Sequence, residues 1–457
     1  MAKFWMNTTS SSAWHGTSVG IIRVESELSL RIHHEAFVIR AHGFEKKSLK
    51  SGPLMNDDLE KSTISFFQRN KAHGFLVSAQ MISRKQRIVR SLAYWISLFY
   101  GLDSKLDRTL DRVIYYVYTY MNKSYIKMNE IIRALRKPKS LKVVKELSVA
   151  SEISSPFSEG DIVFTCGLDW DNSILERIHT LKGSTNFKLV TVIYDLIPIT
   201  NPEFIQNTRH VNRLLGHFTL LAQLSDLVLV NTQATAAEFQ KFCSQLDLEA
   251  PEVRVVPWGT GFELVDGAKE VSELIPLTKT KGFFLAVGTI EIRKNYQLLV
   301  NIIRLAREKS VEIPHFVFVG APGWGTHELI IEILNDELLQ KSITWLKNSS
   351  DEHLKWLYQN CIGLLSPSFS EGYGLPVAEA QSCGKQTFLS DIPVYRELFP
   401  QSTFVSPNDP AAWLQVITQG IHLSPKLGPI HNWNDSSRIV AEVISDYFGT
   451  EIKYSGK

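Results

Sequence analysis

Cysteine is scarce in this chain: Cys166, Cys243, Cys361 and Cys383 are the four among 457 residues. No two stand as C-x-x-C, and no histidine pair lies near them at zinc-site spacing. That excludes a disulfide framework and argues against structural zinc. An excess of either charge is also missing. The 49 Lys and Arg against 47 Asp and Glu leave a net of +2, so the chain as a whole is not a nucleic-acid binder by charge. No uncharged apolar run reaches the roughly 18 residues of a membrane span. The opening MAKFWMNTTSSSAWHG lacks the apolar core of a signal peptide. Together these absences predict a cytoplasmic protein with its thiols reduced. Internal repeats and low-complexity tracts are absent too.

What is present is an ordinary globular composition, 44% hydrophobic and 21% charged. The length is enough for two or three domains with cores of their own. Short β-branched runs alternate with amphipathic stretches of helical length, the pattern of parallel sheets wrapped by helices. In the first half the strand candidates are 37–41, 162–165, 188–193, 227–230 and 253–256. In the second they are 283–287, 315–319, 343–346, 362–365 and 386–389, with helices near 295–308, 326–337, 351–359 and 376–383. The polar stretch 263–281 has no clear strand and reads as a linker. The expected domains are 1–270 and 281–430, with a C-terminal helix in 431–457 that returns to the first. Two such sheets imply a cleft, with ligands at the carboxyl ends of strands.

The most informative stretch is SPSFSEGYGLPVAEAQSCG, Ser366–Gly384. A strand ends before it and a helix follows. Gly372 and Gly374 let the backbone approach a ligand, and the amides at Gly374 and Leu375 make a helix start suited to phosphate. Pro376 suits the first helical turn. Glu371 and Glu379 would repel a phosphate, so they are better aimed at sugar hydroxyls. A second strand ends in VGTIEIRKNYQLL. There Gly288 turns the chain, Arg293 and Lys294 are adjacent, and Asn295 starts a helix. An Arg-Lys pair before a helix is commonly just solvated. Here two strand ends of one sheet carry complementary groups, which favours a phosphate cleft.

These residues resemble the family 4 retaining glycosyltransferases, which adopt the two-domain GT-B fold. The family's acidic motif, two glutamates with seven residues between, is matched by Glu371 and Glu379. VGTIEIRKN resembles its diphosphate-binding strand end, and the segments at 350–361, 389–398 and 408–417 follow in the family's order. More loosely, TVIYDLIPITNPEF (191–204), LVLVNTQAT (227–235) and VRVVPWGTGF (253–262) look like its first-domain strand ends. GTSVGIIRVESEL (16–28) resembles the glycine-rich loop and first helix of bacterial polysaccharide and O-antigen mannosyl- and rhamnosyltransferases. The fold so implied is α/β GT-B, two Rossmann-like parallel-sheet domains facing a cleft.

The resemblance implies roles as well. Glu371 contacts the transferring sugar, Glu379 binds the nucleotide ribose, and Arg293 with Lys294 holds the departing diphosphate. Gly20, Gly288, Gly372, Gly374 and Leu375 bring backbone to the donor, and Asp195 stands at the cleft. No metal and no cofactor are implied beyond a nucleotide-diphosphate sugar as co-substrate, with GDP-mannose the expected donor. Two positions depart from the family. Tyr194 stands where many members carry a histidine, and Thr289 where many carry an arginine. Asp169-Trp170-Asp171 mimics a metal-binding Asp-x-Asp, but one such match in a chain of this length is expected by chance. Gly320, Gly323 and Gly325 form a strand-end loop that is neither GxGxxG nor Walker A. It is expected to line the nucleotide pocket. A nucleotide-sugar epimerase or a non-catalytic sugar-nucleotide-binding subunit would share the cleft, and both stay open at this point.

Residues 81–145 stand apart. They hold fifteen Lys and Arg against four Asp and Glu, a local net of +11, with nine Tyr, Trp or Phe between. The segment reads as a helical insertion in the first domain. Its aromatics either pack on that domain or dock on an anionic membrane, where a lipid-linked glycan acceptor would be found. The second alternative places the protein peripherally on the inner face of the cytoplasmic membrane.

Overall fold

The computed structural model describes residues 2–13, 20–40, 43–46, 156–169, 174–205, 207–260, 267–279, 282–420 and 431–455. The basic segment 81–145, most of the glycine-rich loop at 14–19, Trp170 and Asp171 lie outside these residues.

Two sheets organise the described chain. The first contains β1 (Phe4–Asn7), β2 (Glu35–Arg40), β3 (Gly43–Lys46), β4 (Ile162–Thr165), β5 (Lys188–Ile193), β6 (Leu227–Val230) and β7 (Glu252–Val255), in the order β3-β2-β1-β4-β5-β6-β7. All neighbours are parallel except β2 and β3. The second contains β8 (Phe283–Val287), β9 (His315–Val319), β10 (Ile343–Leu346), β11 (Gly363–Ser366), β12 (Gln386–Ser390) and β13 (Thr403–Val405), in the order β10-β9-β8-β11-β12-β13 and parallel throughout. The fold class is the expected one, two Rossmann-like parallel-sheet lobes facing a cleft.

The inner strands, such as β4, β6 and β8, are buried on both faces, so they read as continuous apolar runs rather than alternating ones. Along β8, Phe284 and Ala286 enter one core while Phe283 and Leu285 enter the other. In β6 Val228 and Val230 face one side, Leu227 and Leu229 the opposite side. Strand order reverses between β1 and β4 in the first lobe and between β8 and β11 in the second. A crevice opens at the carboxyl ends at such reversals.

Some boundaries differ from those read in the sequence by one or two residues, as element ends commonly do. Three strands escaped that reading. β1 is only FWMN, yet it is central in the first sheet and nearly inaccessible at Trp5, Met6 and Asn7. β3 pairs with β2, and β13 is three residues long. The helix foreseen over 326–337 breaks at Asp336, whose carboxylate accepts from the amides of Leu338 and Leu339 and starts the next helix, Glu337–Ser342. Within 267–279 the chain makes a 3-10 turn at Ser272–Leu274 and a short helix at Ile275–Thr278.

The last helix, Trp433–Phe448, lies on the first lobe. Its Trp433, Val440, Ala441 and Ile444 share a core with Met6, Phe164 and Leu229. Arg31 donates to Asn434 at 2.8 Å, and the amide of Thr260 donates to the carbonyl of His431. Gly259 permits this return: a β-carbon there would stand 2.6 Å from the main chain of Trp433. Among the described residues no helix is long and apolar enough to cross a membrane.

Candidate active site

A cavity of about 720 Å3 lies between the two lobes, bordered by the carboxyl ends of β5, β8, β9 and β11. Glu371, Arg293, Lys294, Asp195, Gly20, Gly288, Gly372, Gly374, Leu375 and Glu379 all line it. Tertiary structure thus gathers residues that are up to 359 positions apart in sequence. Of the strand-end loop after β9, Gly320 and Ala321 border the cavity.

The centre is a charged knot tying two strand ends. After β8 the chain makes a 3-10 turn at Ile292–Lys294. Asn295 then adopts a left-handed conformation at φ 56° and caps the helix Tyr296–Glu308. Its side-chain amide donates to the carbonyls of Pro367 and Pro407, and the amide of Phe369 donates to the carbonyl of Arg293 at 2.8 Å. These bonds fix the loop after β8 against the loop after β11. Arg293 Nη1 then reaches Glu371 Oε2 at 2.8 Å, while its Nε and Nη2 reach Glu291 at 3.1 and 2.7 Å. Lys294 Nζ meets Glu371 Oε1 at 2.5 Å, and Ser368 donates to the same oxygen at 2.7 Å. Burial alone would raise the pKa of Glu371. The Lys294 and Arg293 cations overcome it and hold the carboxyl down at about 2. Glu371 is therefore a fixed anion, and it orients both cations.

The glycines act differently from one another. Gly374 sits at φ 100° immediately before the helix Leu375–Ser382, and an added β-carbon would meet the Tyr395 ring at 2.8 Å. Pro376 occupies the first turn of that helix, as expected. Gly372 abuts the opposite lobe, where a β-carbon would lie 2.5 Å from the Tyr194 carbonyl. The absence of a side chain there permits the two lobes to touch.

Glu379 projects from the same helix and is buried. Its Oε2 accepts from the Tyr358 hydroxyl at 2.9 Å, and its Oε1 accepts from Arg23 Nη1 at 3.1 Å. Burial raises its pKa, with Arg23 and Tyr358 opposing the rise. Other contacts also cross between the lobes. The Tyr373 hydroxyl donates to the Trp258 carbonyl at 2.7 Å, and Glu397 accepts from the amides of Gln233 and Ala234 at 2.6 and 3.0 Å.

Asp195 accepts from the Ile197 amide at 3.1 Å, and burial raises its pKa against the pull of Arg293. Tyr194, at the position where the resembled family often has histidine, turns its hydroxyl into its own lobe and donates to the Cys166 carbonyl at 2.5 Å. Burial drives its pKa well above the ordinary tyrosine value, so it remains a neutral wall of the cavity.

Arg23, Asp351, Ser368 and Tyr358 escaped the sequence reading as functional positions. Each sits on a quoted motif or its flank, but their convergence comes from folding. Asp169, weighed in the sequence only as part of an Asp-x-Asp match, and Glu25 are both buried carboxyls of the first lobe. Asp169 accepts from Thr165 at 2.7 Å and from Asn7 at 3.3 Å, and Glu25 accepts from the Ser11 amide at 2.5 Å. Burial pushes each up to about 7. Asp169 thus faces Thr165 and Asn7 inside the first lobe. Among the described residues no cluster of His, Cys, Asp and Glu is suited to hold a metal ion.

Comparison with known proteins places this geometry in context. Residues 269–428 match the family described as Glycosyl transferases group 1. That stretch contains the cation pair and the acidic pair, and it carries a domain of the type resembled in sequence. A serotype-specific mannosyltransferase WbdA of Escherichia coli is 27% identical over 58% of this chain and 35% of its own. The O-antigen chain mannosyltransferase RfbU of Salmonella typhimurium strain LT2 is 26% identical over 35% of this chain and 45% of its own. The chain spans less than half the length of these relatives. Among solved structures, the sucrose-phosphate synthase of Thermosynechococcus elongatus aligns over 63% of this chain and 74% of its own, with 20% identity and a TM-score of 0.49.

Proposed function

We propose that this chain, with its glycosyl transferases group 1 domain over residues 269–428, is a retaining glycosyltransferase. In this reading it moves a hexose, mannose, from a GDP-linked donor to a growing, lipid-linked bacterial surface glycan. The observation that carries the proposal is the knot of Arg293, Lys294 and Glu371 where strand order reverses between β8 and β11. An ammonium has three N–H donors and a guanidinium five. Both cations can keep Glu371 and still donate to a diphosphate in the cavity.

In the reaction the bond from the sugar's anomeric carbon to the diphosphate oxygen breaks. An acceptor hydroxyl forms the new bond on the same face and passes its proton to the departing diphosphate oxygen. Negative charge grows on the departing diphosphate. Lys294 and Arg293, fixed beforehand by Glu371, lie where they would stabilise it without reorganising. The amides at Gly374 and Leu375 add donors at a helix start. Glu379 accepts from the ribose hydroxyls. Asp195 and Tyr194 bound the sugar side from the opposite lobe. With two cations for the diphosphate, the transfer needs no divalent metal. The mannose and GDP assignments draw on the names of the mannosyltransferase relatives and on the GIIRVE and YDLIPI phrases. A lipid-linked acceptor fits the basic, aromatic segment 81–145, which would hold the protein peripherally on an anionic membrane.

The test is donor turnover. The protein is incubated with GDP-mannose, UDP-glucose and UDP-N-acetylglucosamine, with and without EDTA, and sugar release and transfer are followed. Thermal-shift titration with GDP and UDP accompanies it. Stabilisation by GDP and EDTA-resistant turnover of GDP-mannose support the reading. Stabilisation by UDP alone overturns the donor assignment. Loss of activity in EDTA overturns the metal-free scheme, and epimerised free nucleotide sugar overturns transfer itself.

A further inference from the structure

Arg23 comes from the first lobe, one turn into the helix Gly20–Arg31, and its side chain is only 12% exposed. Its fork divides between two carboxylates of the opposite lobe. Nη1 lies 3.1 Å from Glu379 Oε1 and Nη2 lies 3.0 Å from Asp351 Oδ2. Asp351 opens the helix Asp351–Asn360, Glu379 lies in the helix Leu375–Ser382, and all three side chains border the cavity. Tyr358 holds the other oxygen of Glu379. The second glutamate of the acidic pair is therefore positioned from both sides, and one of those sides belongs to the other lobe.

We propose that Arg23 is a positioning residue for ribose recognition: across the cleft it pairs with Glu379 and aims its carboxylate, so the ligand's vicinal hydroxyls are read only with the lobes together. The proposal rests on the assignment of Glu379 to the ribose. A hydroxyl donates well to a carboxylate but poorly to a carboxylic acid, and a carboxylate this buried requires a paired cation. Desolvation already raises the pKa of Glu379, and Arg23 is the cation that opposes it. Glu371, by contrast, takes its cations from its own lobe. The two glutamates of the motif thus differ: one is held by its own lobe, the other waits for the opposite lobe.

Isothermal titration of the full chain tests this, using GDP or UDP, whichever binds tighter, and the 2′,3′-dideoxy form of the same nucleotide. Wild type should prefer the ribose form by ~10-fold or more, the worth of a hydrogen bond to a charged group. Glu379→Gln and Arg23→Gln should each bring the preference below about 2-fold, with the larger loss falling on the ribose form. Arg23→Lys keeps the charge without the fork and should fall between the two. In Arg23→Gln, affinity for the ribose form should also depend more steeply on pH than in wild type, rising as Glu379 ionises. A preference in Arg23→Gln equal to wild type, with Glu379→Gln having lost it, overturns the role of Arg23 alone. Equal loss of ribose and dideoxy binding in Arg23→Gln also overturns it, by assigning the residue to the phosphates or to lobe closure. If wild type shows no preference, the ribose assignment of Glu379 fails and this inference falls with it.

Discussion

Lys294 Nζ sits 2.5 Å from Glu371 Oε1, so a loop after one strand and a loop after its neighbour in the sheet are joined by an ion pair inside the cavity. Removing Glu371 takes from Lys294 the carboxylate that orients it, and removing Lys294 leaves Glu371 paired with Arg293 alone. Either change also removes a preorganised group from the departing diphosphate. Lys294→Ala and Glu371→Ala should each lower turnover by ~100-fold or more. Steady-state kinetics with the proposed donor, GDP-mannose, checks this, and full activity in either variant would contradict the scheme.

The pH dependence of stability follows from the same pair. The folded carboxyl of Glu371 lies at about 2, below its ordinary value of 4.5. Below pH 4.5 the unfolded chain binds this proton and the folded chain does not. The stabilisation is therefore complete above about pH 4.5 and is lost as pH falls toward 2. In Glu371→Gln, urea midpoints should decline less steeply between pH 6 and 3 than in wild type, by an amount on the order of 1–3 kcal/mol. Parallel curves would count against the pairing.

Asp169 makes the opposite prediction. Its folded carboxyl is raised from 3.8 to about 7 by burial. Between these values the folded chain holds a proton that the unfolded chain has released, so stability falls as pH rises through the window. Asp169→Asn keeps the shape and cannot ionise. Its thermal midpoint should match wild type near pH 3.5, below the unfolded value, and exceed it increasingly up to pH 8, by on the order of a few kcal/mol of stability. A variant that is less stable at both pH values would refute this.

Gly372 separates lobe contact from lobe folding. A methyl group at this position would meet the Tyr194 carbonyl of the facing lobe at 2.5 Å. Gly372→Ala should hold the lobes apart and reduce turnover by ~10-fold or more, with a small change in thermal midpoint. Unaltered kinetics would show that the lobes tolerate the displacement.

The basic segment 81–145 gives a prediction from sequence alone. Co-sedimentation with anionic vesicles should weaken steeply with salt, because surface attraction of about 1 kcal/mol per basic residue is screened. It should fall when Arg84, Lys85, Arg87 and Arg90 are changed to Glu. Equal behaviour on neutral and anionic vesicles would leave only the packing alternative.

Sequence alone determined most of the strands and the motif residues. Uninterrupted apolar runs such as FFLAV and KLVTVI are what a doubly covered parallel strand requires. The glycines, Pro376 and the Arg-Lys pair mark strand-to-helix junctions because those positions restrict residue type locally. β1 escaped because four residues carry too little periodicity to be told from a loop, and its central place depends on pairing with strands far along the chain. The partners of the site were equally out of reach. Nothing local couples Arg23 to Glu379, 356 positions away, or turns the Tyr194 hydroxyl toward Cys166. Nor does local sequence reveal that Gly372 faces the other lobe. Residue identity set the chemistry available to the cleft. Which charge meets which, and at what pH each carboxyl ionises, was decided only when folding removed water from between groups that sequence keeps apart.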